Sequence, residues 1–227
     1  MFGDLISLIY PRNCAGCGNS LFRHEDGICN YCYLNLPKTH FHSDPANSLK
    51  SLFNGRADLE VVSSFYIFHK KGTIQKILHA IKYRGSKELA VLIGRWYARD
   101  LADHPEIRKS ACIIPVPLHP LKYRQRGYNQ SEEFGRGLAG ELNIPLNTSF
   151  LKRTVFTSSQ TRKNRFERWE NVEDKFEIDP LQDFKHQYVI LVDDVITTGA
   201  TIEACCQALR QAEGIKIHVL SMAYTGR

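Results

Sequence analysis

The chain has 227 residues, enough for one sizeable core and a small appendage. A hydrophobic fraction of 43% with 24% charged residues is that of an ordinary soluble globular protein. No stretch reaches the eighteen or so apolar residues that cross a bilayer, so no membrane span is expected. The net charge of +6 is modest, and where it sits matters more than its size.

The chain opens on MFGDLISLIYPRN, apolar but without a basic leader and interrupted by Asp4. A secretory signal is therefore not expected, and a cytoplasmic protein is. Leu5, Ile6, Leu8 and Ile9 suit a short amphipathic helix docked on its own domain. Cys14, Cys17, Cys29 and Cys32 then form C-x2-C-x11-C-x2-C. Paired C-x2-C units in reducing cytosol read as a structural Zn²⁺ site, because the ion takes four thiolates tetrahedrally. Gly18 suits a tight knuckle after the second ligand, Tyr33 follows the fourth, and the short spacer fits a small module; a redox pair or unbound thiols is the alternative. The Pro37–Ser48 stretch is rich in turn formers. The expected division is a zinc module over 1–45, a linker over 46–58 and a main domain over 59–227.

From Leu59 on, strands alternate with helices. Val61 to Phe68 reads as a strand, Thr73 to Lys82 as a helix with Ile74, Ile77, Leu78 and Ile81 on one face, and Glu88 to Leu101 as a second helix. Ala111 to Val116 is a short buried strand, Gln130 to Leu142 a helix, and Leu151 and Phe176 mark two short strands. Tyr188 to Val192 is the most apolar strand, Ala200 to Ala212 a helix, and Ile217 to Ala223 a last strand. This alternation predicts an α/β fold: a largely parallel sheet with helices on both faces. Cys112, Cys205 and Cys206 fit core packing, and His119 and His186 surface or turn positions. Gly135 to Gly140, GRGLAG, matches a dinucleotide fingerprint by letter only, because it follows helix rather than strand.

The strongest chemical signal is Val189 to Thr201, VILVDDVITTGAT. Asp193 and Asp194 stand at the carboxyl end of a buried strand, where open α/β sheets bind ligands. Paired carboxylates there can accept from two vicinal hydroxyls or face Mg²⁺. Val195 leads into a turn of Thr197, Thr198, Gly199, Ala200 and Thr201 that opens a helix, where free N–H groups and the dipole favour a phosphate. A strand, an acidic turn and a threonine cap of no special role is the bland alternative. Charge concentrates in two stretches. His119 to Ser131 holds Lys122, Arg124 and Arg126 without an acid, and Lys152 to Arg168 holds six basic residues against Glu167. Lys122, Arg124, Arg126, Arg162, Lys163, Arg165 and Arg168 suit phosphates, and Tyr123, Tyr128, Phe166 and Trp169 suit base stacking. Solvated basic loops, or service to a sugar phosphate alone, remain open.

These segments resemble a known family. VILVDDVITTGAT looks like the phosphoribosyl pyrophosphate signature of type I phosphoribosyltransferases. IIPVPLHPLKYRQRGYNQ resembles the ComF family, with its P-V-P and R-x-R-G-[FY]-N-Q run. HAIKYRGSKELA looks like that family's K-Y-x-G segment, and SSQTRKNRFERWENV resembles a stretch shared with glutamine amidophosphoribosyltransferases. A four-cysteine N-terminus is typical of longer ComF members. The resemblance implies a type I phosphoribosyltransferase-like fold, with Asp193 and Asp194 as the catalytic pair holding ribose hydroxyls and 197–201 cradling the 5′-phosphate. It also implies a pyrophosphate loop at Pro115, Val116, Pro117 and Leu118, here stiffened by prolines that lack an N–H. Mg²⁺ with phosphoribosyl pyrophosphate, single-stranded DNA during natural transformation, and a competence helicase or other uptake protein are the implied ligands and partners. An active transferase with an unnamed acceptor and a sensor that has lost the transfer step are the competing readings.

Overall fold

The computed structural model describes residues 12–154 and 175–226. Its helices are α1 (Asn30–Leu34), α2 (Ser48–Ser51), α3 (Thr73–Tyr83), α4 (Lys87–Leu101), α5 (Pro105–Arg108), α6 (Pro120–Arg126), α7 (Gln130–Leu142) and α8 (Ala200–Leu209). Its strands are β1 (Val62–Ile67), β2 (Cys112–Pro115), β3 (Leu151–Thr154), β4 (Lys175–Ile178), β5 (Tyr188–Ile196) and β6 (Lys216–Tyr224). No described helix is long and apolar enough to cross a membrane.

Strands β1, β6, β5 and β2 form one parallel sheet in that order. The run Val189–Val192 is apolar at every position because β5 lies inside the sheet and is covered on both faces. Ile190 and Val192 face a core shared with α3, α4 and α7, through Ile77, Ile93 and Phe134. Val189 and Leu191 face the opposite core, with Ile202 and Leu209 of α8, Leu49 and Phe53, and Phe176 of the β3–β4 hairpin. The two-residue side-chain period of a strand thus divides one apolar run between two cores.

Two glycines of GRGLAG find their use here. A Cβ on Gly137 would lie 2.2 Å from the Val91 carbonyl oxygen, and one on Gly94 would lie 2.3 Å from that of Phe134. α4 and α7 therefore cross backbone to backbone, which only glycine allows. Gly135 is tight against Ile113 and Val192.

Three elements depart from the expected ones. β5 continues to Ile196 instead of stopping at Val192, because the nine-residue β6 stays in register up to the pair Ile196 and Tyr224. The two aspartates are strand residues: tertiary pairing overrides their low strand propensity. α6 was not signalled by periodicity, since none of its residues is buried; the His119 Nδ1 caps it, Pro120 starts it and Gly127 at φ 81° ends it. The 46–58 stretch, expected as a linker, carries α2, with Leu49 and Phe53 buried in the second core. Cys112, Cys205 and Cys206 are buried. The expected helix at Leu5–Ile9 and residues Arg162, Lys163, Arg165, Phe166, Arg168 and Trp169 lie outside the described residues.

Candidate functional site

From β5 the chain passes through α8 to β6 on one side. From β2 it passes through α7 to Leu146, which bridges Ile113 on the other side. The crevice between the carboxyl ends of β5 and β2 is thus the point where the winding reverses, the usual ligand position in open α/β sheets. Asp193 and Asp194 flank it, and so does the 115–118 loop.

Three side chains from outside the strand fix the two carboxylates. Ser131 Oγ donates to Asp193 Oδ1 at 3.0 Å, and the Asp194 N–H donates to the same oxygen at 2.8 Å. Gln130 Nε2 donates to Asp194 Oδ2 at 3.2 Å, and Lys82 Nζ pairs with that oxygen at 2.9 Å. This ion pair is largely shielded, with 24% of the lysine and 15% of the aspartate side chain exposed. Burial, then the neighbouring Asp194 charge, push the Asp193 carboxyl up to about 7, and the Ser131 and backbone hydrogen bonds and Lys82 only partly oppose this. One oxygen of each carboxylate, Asp193 Oδ2 and Asp194 Oδ1, accepts no hydrogen bond among the described residues. Gln130 Oε1 is buried without a partner among the described residues.

The run Asn129-Gln130-Ser131 supplies much of this frame because it opens α7 beside the crevice. Asn129 caps α7 through the Ser131 N–H and donates its own amide to the Val116 carbonyl at 3.0 Å. It ties the 115–118 loop to the helix whose next two residues hold the dyad. Lys82, Gln130 and Ser131 were not assigned roles from sequence. Lys82 and Gln130 did lie in motifs, K-Y-x-G and N-Q, but nothing local says that they converge on Asp194.

After Ile196 the chain turns through Gly199, at φ 79°, into α8. A Cβ at 199 would sit 2.8 Å from the Phe53 ring, so glycine is required by both backbone and packing. Thr197, Thr198 and Ala200 are exposed and Thr201 is half-buried. Arg56 donates to the Thr198 carbonyl at 2.9 Å and pairs with Glu203 at 2.6 Å, bracing the turn. The 115–118 loop is poorer in donors. The Val116 N–H is used by the Val192 carbonyl, Pro115 and Pro117 have none, and Leu118 alone has an uncommitted N–H among the described residues.

At the N-terminus the four cysteine sulfurs lie within 4.8 Å of one another, and no disulfide links them. The Cys17 and Cys29 sulfurs are 3.7 Å apart, the tetrahedral edge of about 3.8 Å that a metal–sulfur bond of about 2.3 Å requires. Burial raises the Cys14 thiol, but N–H groups of Cys17, Cys29 and Gly16 aimed at its sulfur outweigh this and hold it at about 6. Such a set could hold a metal ion. Glu25 closes the spacer by accepting from the Phe22 and Asn30 N–H groups, both at 2.8 Å. Cys14, Ile28, Cys29, Cys32 and Leu36 share the core of α3 and α4.

Of the predicted phosphate contacts, Lys122 and Arg124 are exposed on α6. The Arg126 guanidinium lies 5.6 Å from the Tyr83 ring centre. Tyr128 is half-buried against the first core, and its hydroxyl donates to the Ile81 carbonyl, so it joins the turn after α6 to α3 rather than presenting a free ring.

The parallel sheet flanked by helices is a phosphoribosyltransferase-like fold, and the phosphoribosyl transferase domain family matches residues 129–226. Competence protein F of Haemophilus influenzae is 27% identical over 92% of this chain and 96% of its own length. DNA utilization protein YhgH of Escherichia coli K12 is 23% identical over 93% and 90%. An allosteric regulatory enzyme of purine biosynthesis aligns with a TM-score of 0.43 at 17% identity, over 64% of this chain and 30% of that one. Similarity to competence protein F and to the DNA utilization protein thus runs along most of the chain, and the phosphoribosyl transferase match along its C-terminal part.

Proposed function

We propose that the crevice binds a ribose 5-phosphate group, that of phosphoribosyl pyrophosphate or a related ligand, together with Mg²⁺. The observation that carries this is the pair of uncommitted oxygens, one on each of Asp193 and Asp194, beside a glycine turn that opens α8. Vicinal ribose hydroxyls would donate to those oxygens. The hydroxyls of Thr197, Thr198 and Thr201 and the N–H groups opening α8 would hold the 5′-phosphate. Mg²⁺ arriving with the ligand would offset pyrophosphate charge that the donor-poor 115–118 loop leaves unmet.

That poverty of donors favours binding over transfer, so an active Mg²⁺-dependent phosphoribosyltransferase is the second reading. The cysteine cluster is read as a structural Zn²⁺ site. We further read the chain as a cytoplasmic protein that handles single-stranded DNA during uptake, with a competence helicase or other uptake protein as partner; relatives named for competence and for DNA utilization support a link to DNA. The exposed Lys122 and Arg124 suit such a strand. Calorimetric titration with ribose 5-phosphate and with phosphoribosyl pyrophosphate plus Mg²⁺ tests the site. Wild type should bind and Asp193→Asn and Asp194→Asn should not; absence of binding by wild type overturns the proposal. Pyrophosphate release in the presence of nucleobases would favour the second reading.

A further inference from the structure

Helix α3 buries one side, with Ile74, Ile77, Leu78 and Ile81, turns the opposite side to solvent and carries Lys82 at the boundary between them, beside the dyad. Lys76, His79 and Tyr83, at i, i+3 and i+7, share that solvent face, and Arg84 caps its end; all four are exposed. The rings of His79 and Tyr83 are 4.8 Å apart, and Arg126 of α6 reaches over Tyr83. Tyr83 keeps 63% of its surface exposed, and Tyr123 on α6 keeps 49%. Lys76, Arg84, Lys122 and Arg124 pair with no carboxylate among the described residues. Towards the N-terminus, Lys76, His79 and Arg84 line a cleft of about 410 Å³ whose other wall is the Cys14–Gly18 knuckle.

We infer that this face of α3 is a track for single-stranded nucleic acid, running from α6 to the cysteine knuckle. The inference rests on the single-stranded DNA reading above and assigns it a path and four residues, Lys76, His79, Tyr83 and Arg84, of which the last three lie in the HAIKYRGSKELA segment but had no nucleic-acid role from sequence. Uncompensated cations interleaved with exposed rings fit a strand whose phosphates and bases are both accessible, and a duplex hides its base faces. Tyr83 and Arg126 preorganise each other, and the knuckle ends the track by closing its cleft. The helix thus reaches the sugar-phosphate crevice through Lys82 at one margin of the face that it presents to a strand.

The test is fluorescence anisotropy with a labelled oligo-dT of about 15 nucleotides, titrated between about 50 and about 200 mM salt. Lys76→Gln with Arg84→Gln should weaken binding at least tenfold and reduce the log–log salt slope by about 1.4, since each lost single-strand contact removes about 0.7. Tyr83→Leu should weaken binding about tenfold with the slope unchanged, and Tyr83→Phe should retain it. The control, Lys109→Gln with Lys185→Gln, removes two charges just before β2 and β5, at the amino ends of strands whose carboxyl ends border the crevice. If wild type binds and the α3 pair behaves like the control, the track is overturned while the DNA reading stands. If wild type does not bind, the DNA reading itself fails. Tighter binding of duplex would overturn the single-stranded occupant.

Discussion

Asp193→Asn should stabilise the protein while removing ligand binding, and only above a certain pH. Asp193 uses a single oxygen, Oδ1, to accept from Ser131 and from the Asp194 N–H, and an asparagine Oδ1 accepts both equally well. The substitution thus deletes a buried charge beside another carboxylate without deleting a hydrogen bond. A carboxyl whose pKa rises from 3.8 to about 7 on folding costs the folded state about 4 kcal/mol once ionised in both states. Asp193 retains partial exposure, so about 2 kcal/mol is the expected gain for the variant. The sign follows from the raised folded pKa. The wild-type carboxyl is fully accommodated below about pH 4, and its penalty grows as pH rises through 7. At pH 8 the variant should therefore melt about 4–8 °C above wild type, and the gap should close towards pH 4. Comparing the proteins at each pH cancels His218, which burial holds at about 4 and which destabilises both below 6.5. Scanning calorimetry from pH 5 to 8 provides the measurement. A gap that is flat with pH, or a variant less stable at pH 8, would refute the account of the dyad.

Asp194→Asn should act in the opposite sense, because it strands Lys82 in a shielded site; a loss of about 1–3 kcal/mol at pH 7 is expected by chemical denaturation. Gly199→Ala forces a side chain at φ 79° against the Phe53 ring and should cost about 2 kcal/mol and weaken ribose 5-phosphate binding, read by denaturation and calorimetry. Gly137→Ala should cost about 3 kcal/mol by parting α4 from α7, with ligand affinity per folded molecule nearly unchanged. Metal analysis should find one Zn²⁺ per chain, and stripping it with a chelator at neutral pH should lower the melting temperature by more than 10 °C, because three of the four cysteines are part of the α3–α4 core. A metal-free protein of unchanged stability would refute the structural role.

The order of strands and helices was legible in the sequence because each has its own short-range periodicity. The apolar run at Val189–Val192, the spacing of Ile74, Ile77, Leu78 and Ile81, and the paired cysteines are local patterns, and local patterns survive without a fold. The two aspartates and the glycine turn after them were legible for the same reason: they are neighbours in the chain. α6 leaves no apolar period in the sequence since it buries nothing, and α2 because four residues are too few to show one.

What the sequence determined by itself was the composition of the glycine turn and of the cysteine cluster, where every participant lies within a short span. Only the tertiary structure decided which groups meet the dyad. Lys82 and Gln130 are 112 and 64 residues from Asp194 along the chain, and they converge because α3 and α7 pack on the same face of one sheet. The continuation of β5 to Ile196 was decided there too, by the register of β6, as was the exposure of one face of α3 while another reaches the crevice. Packing brings distant residues together by burying apolar area, and no local pattern of residues encodes which polar groups are carried along with it.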